Sequence, residues 1–246
     1  MRNLRHWNVG VGLVHAAQAA LILALGNGFA IPVVAPVQTG PPGTALTLEK
    51  TFFDLRFSVA IAVFLLLAAA DHLLVASPRI VRWYEGNLGR HINYARWIEY
   101  SVSASIMVVL IAMLPGITNL YALVAIFGVN AAMILFGLLM EQVNHDRERV
   151  TWWPFVFGCI AGIVPWICIT IAIVTSATDG DGVPGFVYGI FVSLFVLFNC
   201  FALNQWLQYR GRGRFADYLY GEKVYIVLSL VAKSALAWQV FAGTLS

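Results

Sequence analysis

The sequence predicts an all-α membrane protein, a bundle of seven transmembrane helices, and three observations carry that prediction. Of its 246 residues 60% are hydrophobic and only 11% charged, with a mean hydropathy of +0.80, against about 25% charged in an ordinary soluble domain. Apolar runs of span length recur seven times between charges and Pro/Gly breaks. Lys and Arg gather on alternate connections between those runs. A soluble enzyme of this size could not bury so much apolar surface. The three Cys, an odd number set in apolar runs, exclude a secreted disulfide scaffold. A net charge of +3 without a dense basic stripe excludes a nucleic-acid binder.

A span needs roughly 20 apolar residues to cross about 30 Å of hydrocarbon. The predicted spans are Trp7–Gly26, Phe52–Ala76, Tyr94–Leu114, Thr118–Met140, Trp152–Thr175, Pro184–Gln208 and Val224–Leu245. The first resembles a signal peptide in its leading Arg2 and Arg5, but its length and its internal His15 and Gln18 argue for a retained helix. Gly28–Lys50, with the turn signal Gly40-Pro41-Pro42-Gly43, is the longest loop opposite the N-terminus and reads as a β-hairpin. The remaining links are mostly short, so neighbouring helices run antiparallel in one domain covering residues 1–246.

Eleven of the fifteen Lys and Arg fall on the side of the N-terminus. Basic short loops stay in the cytoplasm, so the N-terminus is expected inside the cell membrane and the C-terminus outside. Arg210-Gly211-Arg212-Gly213-Arg214 reads as a topological anchor, with anionic lipid as the other reading. Asp179-Gly180-Asp181-Gly182 lacks the downstream acidic ligands of a calcium loop and reads as a turn. No nucleotide-binding glycine loop and no metal-spaced Cys/His cluster is present, so neither an enzyme nor a metal site is expected.

Ionisable groups at membrane depth cost about 2.5–3.5 kcal/mol each on insertion scales, and each asks for a reason. Lys233 sits near the middle of the last span among apolar neighbours. Its side chain reaches about 6 Å, while the interface is roughly 15 Å away. Either the amine is neutral, or it is covalently modified and paired with an anion, or it forms a plain structural pair with a carboxylate. Glu99, in the third span, is the partner candidate. Arg96 lies three residues before Glu99 and four before Tyr100, so the three fall on neighbouring faces of the same helix. His15, Asp71, His72 and Glu141 gather at the same, inner depth, and Ser229 is one turn before Lys233. Together these read as a hydrated inner cavity. A histidine bonded between helices is the alternative for His15, and interfacial carboxylates in water the alternative for Glu141 and Asp71.

With these residues in view, the chain resembles the microbial rhodopsins, and its inverted orientation narrows the resemblance to the heliorhodopsins. The segments that carry it are 96–101 (RWIEYS), 126–131 (IFGVNA), 157–166 (FGCIAGIVPW), 184–189 (PGFVYG) and 228–239 (LSLVAKSALAWQ). The resemblance implies all-trans retinal bound covalently to Lys233 as a Schiff base, Glu99 as the single counterion and Ser229 as its hydrogen-bonding neighbour. It implies that His15, His72 and Glu141, with Arg96 and Tyr100 beside them, line a cavity that accommodates the proton after light. Asn130, Met133, Ile134 and Phe198 fall in its retinal pocket, with ordinary packing as the alternative.

The small-xxx-small pair Gly158 and Gly162 suits a close helix contact, inside the bundle or, as the family's dimers imply, between two copies of the chain. The pump branch carries further polar groups four and eleven residues after the counterion and a carboxylate four before the lysine. Here those places hold Ser103, Leu110 and Ser229. The expected function is therefore light sensing without net pumping, signalling to an unidentified cytoplasmic partner. A light-driven proton transporter and a retinal-free protein with a structural Lys233–Glu99 pair are the alternatives.

Overall fold

The computed structural model describes residues 2–146 and 148–245, with side chains from Leu4 onward. Arg147 and the side chain of Arg2, both used above to orient the chain, lie outside the described residues. In chain order the elements are α1 (Arg2–Leu25), β1 (Ala30–Val37), β2 (Leu48–Arg56), α2 (Phe57–Ala76), α3 (Val81–Gly89), α4 (Tyr94–Met113), α5 (Leu120–Asn144), α6 (Trp153–Asp179), α7 (Gly185–Arg210) and α8 (Tyr218–Val240), followed by a π-helical turn, Phe241–Leu245. Among the described residues seven of these helices, all but α3, are long and apolar enough to cross a membrane. The protein is a multi-pass membrane protein.

Local chemistry sets the helix ends. Asn93, Asn119 and Asp217 cap α4, α5 and α8, each accepting a backbone N–H of the first turn. Gly211, at φ 60°, supplies the left-handed residue that ends α7. The π-turn after α8 docks on the end of α1, where Asn27 donates through Nδ2 to Thr244 O at 2.9 Å.

The expected hairpin is present and longer than predicted. β1 and β2 pair antiparallel from Ala30↔Arg56 to Val37↔Leu48, with an irregularity at Val33/Val34. Val34 N–H donates to Thr118 O at 3.0 Å, which ties the hairpin to the start of α5. The second span therefore begins at Phe57 and not at Phe52, because 52–56 satisfy their backbone groups with β1. Two further boundaries are corrected. α5 continues to Asn144, and α8 begins at Tyr218, six residues before the predicted start. The short α3 was not predicted at all. It turns Tyr84, Asn87 and Leu88 inward and leaves Arg82 and Trp83 exposed.

The two ends of the bundle differ. Toward the hairpin the interior is aliphatic and aromatic, built on Ile22, Phe57, Ile61, Met107, Leu110, Ile111, Leu236 and Val240. Toward the other, basic end it holds Asn8, His15, His72, Asn93, Arg96, Glu141 and Glu222, all buried.

Candidate functional site

Lys233 and Ser229 are one turn apart on the buried face of α8, and Lys233 Nζ donates to Ser229 Oγ at 2.9 Å. Glu99 on α4 meets the same nitrogen at 3.2 Å. Both side chains are almost wholly enclosed, 4% and 6% exposed. The ring of Tyr100 lies under the ammonium, 4.7 Å from Nζ, and its hydroxyl donates to Tyr225 O at 3.0 Å. At this separation the two groups are within reach of a charge-assisted hydrogen bond, which a low-dielectric interior strengthens.

Lys233, Ser229 and Tyr100 form one wall of a cavity of about 190 Å³ between α4, α5, α6, α7 and α8. The rest of its lining is mainly apolar: Met133 and Ile134 from α5, Trp166 from α6, Phe195 and Phe198 from α7. Trp166 packs edge-on to Phe191, Phe195 and Phe198. Exposed Cys159 and Ile163 of α6 and exposed Asn199 of α7 also line the cavity, so it opens sideways between those helices. Asn130 is not on the wall; it is buried behind it and donates to Ser105 Oγ at 3.0 Å. Gly158 and Gly162 line the cavity and face α5. A Cβ at Gly158 would meet Phe136 at 3.3 Å, and one at Gly162 would meet Met133 at 3.0 Å. Here the glycine pair packs α6 on α5 within one chain and keeps room in the cavity.

From the lysine toward the basic end the polar groups continue. Asp71, His72, Arg96, Tyr100 and Glu222 border a second void of about 10 Å³, close to the space of a single water. His15 stacks on His72 with ring centres 5.9 Å apart. His72 Nδ1 and Asn8 Oδ1 are 2.7 Å apart, while neither ring nitrogen of His15 has a hydrogen-bond partner among the described residues.

Glu141 lies beyond this void, on the far side of Arg96. It is 1% exposed, which corrects its reading as an interfacial carboxylate in water. Arg96 bridges Glu141, at 2.5 Å, and Glu222, and its guanidinium lies against the rings of Trp97 and Tyr225, 4.6 and 3.9 Å from the ring centres. Asn93 donates through its backbone N–H to Glu141 Oε2 at 2.8 Å and through Nδ2 to Glu222 Oε2 at 2.6 Å.

Glu222 is the principal residue the sequence reading missed. Its spacing was a usable signal: Glu222, Ser229 and Lys233, at steps of seven and four, form one polar line down a helix.

A lysine deep in the last of seven helices, paired with a carboxylate and facing an apolar cavity, defines a rhodopsin-type membrane protein. The comparisons with known proteins agree. The heliorhodopsin family model matches residues 4–245, and the chain belongs to that family. The fold is similar to the crystal structure of cyanorhodopsin from the cyanobacterium Tolypothrix sp., with a TM-score of 0.61 at 14% identity, covering 98% of this chain and 94% of that one. No curated protein matches the chain by sequence. Family and fold support a retinal photoreceptor-type protein, and the site fits such a group. Its primary amine opens onto an apolar cavity whose α6 wall is kept free by two glycines.

Proposed function

We propose that the protein is a light sensor that moves a proton on one side of the membrane only and does not pump. The observation that carries this reading is that the buried ionisable groups around Lys233 lie on one side of it, toward the basic end. Bound all-trans retinal, joined to Lys233 Nζ as an imine, would supply visible absorption and a light-driven change of shape. The residues of the chain do the rest. Glu99 and Ser229 hold the proton at Nζ in the dark, and the Tyr100 ring faces the positive charge.

Toward the basic end Asp71, His72 with its neighbour His15, and the Arg96–Glu141–Glu222 cluster offer places for a displaced proton. Toward the hairpin Leu110, Leu236 and Val240 pack without exposure, and the outer half of α4, 106–114, carries no ionisable residue. A vectorial pump needs access from both faces, so this asymmetry favours the sensor over the transporter. We place the basic end in the cytoplasm of the cell, where Arg79, Arg82, Arg212 and Arg214 are exposed and suited to meet an acidic surface of a signalling partner.

The test is a visible spectrum of the purified protein after addition of all-trans retinal, beside Lys233→Ala. The expected result is a visible band in the first and none in the second. Absence of a band in both would overturn the reading and leave Lys233–Glu99 as a structural pair.

A further inference from the structure

Two sets of charged groups, Arg96 with Glu141 and Glu222 and Lys233 with Glu99, lie in the basic half of the bundle beside Asp71, and their pairing is not the one that α4 alone would choose. Arg96 and Glu99 are three residues apart, neighbours on the helix surface with Cβ atoms about 5–6 Å apart. In the folded protein they do not pair. Arg96 turns toward the basic end to Glu141 and Glu222, and Glu99 turns to Lys233.

The two carboxylates that hold Arg96 are fully engaged. Every oxygen of the two carboxylates accepts a hydrogen bond, from Arg96, from Asn93 or, for Glu141 Oε1, also from the Tyr218 hydroxyl at 3.3 Å. The rings of Trp97 and Tyr225, edge to face with each other, also lie against the guanidinium. The electrostatics favour the same arrangement. Arg96 has two directly bonded carboxylates at the basic end, with Asp71 on the wall of the same small void, whereas Glu99 is already bonded to Lys233, and in a low-dielectric interior that imbalance favours the place the arginine takes.

We propose that Glu141 and Glu222 are positioning residues for the counterion: they draw Arg96 away from Glu99, so that Glu99 serves Lys233 alone. The role rests on the reading of Lys233 and Glu99 as the chromophore site. Glu→Gln changes at the two positions remove the anions that hold Arg96. Glu99 is then the neighbouring carboxylate on its own helix, and the freed guanidinium shares it. A shared counterion offsets less of the positive charge at the Lys233 nitrogen, which lowers the excitation energy of a chromophore bound there.

The experiment compares the retinal-reconstituted protein with E222Q, E141Q/E222Q and the triple variant R96Q/E141Q/E222Q. The expected result is a shift of the visible band to longer wavelength, smaller in E222Q and larger in the double variant, with return to the native position in the triple variant. Glu222→Asp, which keeps the charge, holds the native band and serves as the control for folding.

A second readout needs no retinal. Reductive methylation of Lys233 by formaldehyde and cyanoborohydride, read by peptide mass, should run severalfold faster in the double variant and return to the native rate in the triple one. An unshifted band with an unchanged methylation rate in E222Q and the double variant, or failure of R96Q to restore them, would overturn the proposal. A native protein that forms no visible band but keeps this methylation pattern would sink the chromophore reading and leave the positioning role standing.

Discussion

The half of the bundle beside the hairpin and the half at the basic end solve opposite problems. Near the hairpin, Ile22, Phe57, Phe64, Leu110, Ile111 and Leu236 are fully or almost fully buried in an apolar interior, and stability comes from close packing. At the basic end the interior holds Asn93, Arg96, Glu141 and Glu222, and each is bonded to a partner from another helix or from a helix end. Lys233 lies at the boundary. The difference teaches that, on the proposed reading, the make-up of the interior on either side of Lys233 sets the direction in which a proton can leave it.

Breaking the polar half should have the largest effect. Arg96→Leu leaves two buried carboxylates without their cation and is expected to cost about 3–5 kcal/mol of stability, measured by thermal or denaturant unfolding in detergent. A loss below about 1 kcal/mol would mean that the cluster is well hydrated and that the comparison fails. The matching change in the apolar half is Leu110→Ala, which opens a cavity in a fully buried position. It is expected to cost about 2–5 kcal/mol while leaving the visible band where it was, because the residue belongs to the apolar cluster and does not line the cavity at Lys233.

Smaller changes sharpen the boundary. A Cβ at Gly137 would run into the ring of Trp97, which both lines the large cavity and flanks Arg96. Gly137→Ala is therefore expected to cost about 1–3 kcal/mol by overpacking and also to move the visible band, an effect on both sites that no substitution near the hairpin should reproduce. The smallest contrast is between two caps. Asn119→Ala removes only the cap of α5 and should cost about 1 kcal/mol. Asn93→Ala removes the cap of α4 together with a donor to Glu222, and unfolding midpoints should place it clearly below Asn119→Ala.

Much of the fold was legible because it depends on local pattern. Seven apolar runs and the alternation of Lys and Arg define the spans and the basic end, and Pro/Gly signals place the hairpin. The midplane position of Lys233 picks out the site without any knowledge of its partners. What the sequence concealed depends on contacts between distant segments. The strand 48–56 reads as the start of a span because Phe52, Phe53 and Leu55 are apolar, and only pairing with β1 makes it a strand.

Glu222 is unremarkable beside Lys223 at the mouth of a helix until the fold brings it to Arg96, 126 positions away in sequence. The separation of Arg96 from Glu99 is of the same kind. Local spacing makes them neighbours, yet Arg96 is bonded to Glu141 of α5 and Glu222 of α8, and Glu99 to Lys233 of α8. Asn130 shows the limit of motif transfer, since its place on α5 was right and its side chain is spent on Ser105.

The central claim, that proton movement is confined to the polar half, is tested most directly by illuminating the retinal-reconstituted protein in unbuffered liposomes and recording the pH of the suspension with and without a protonophore. The account predicts a visible band that bleaches and recovers under light with no sustained pH change that the protonophore abolishes. A sustained, protonophore-sensitive pH change would show a path through the apolar half and contradict it.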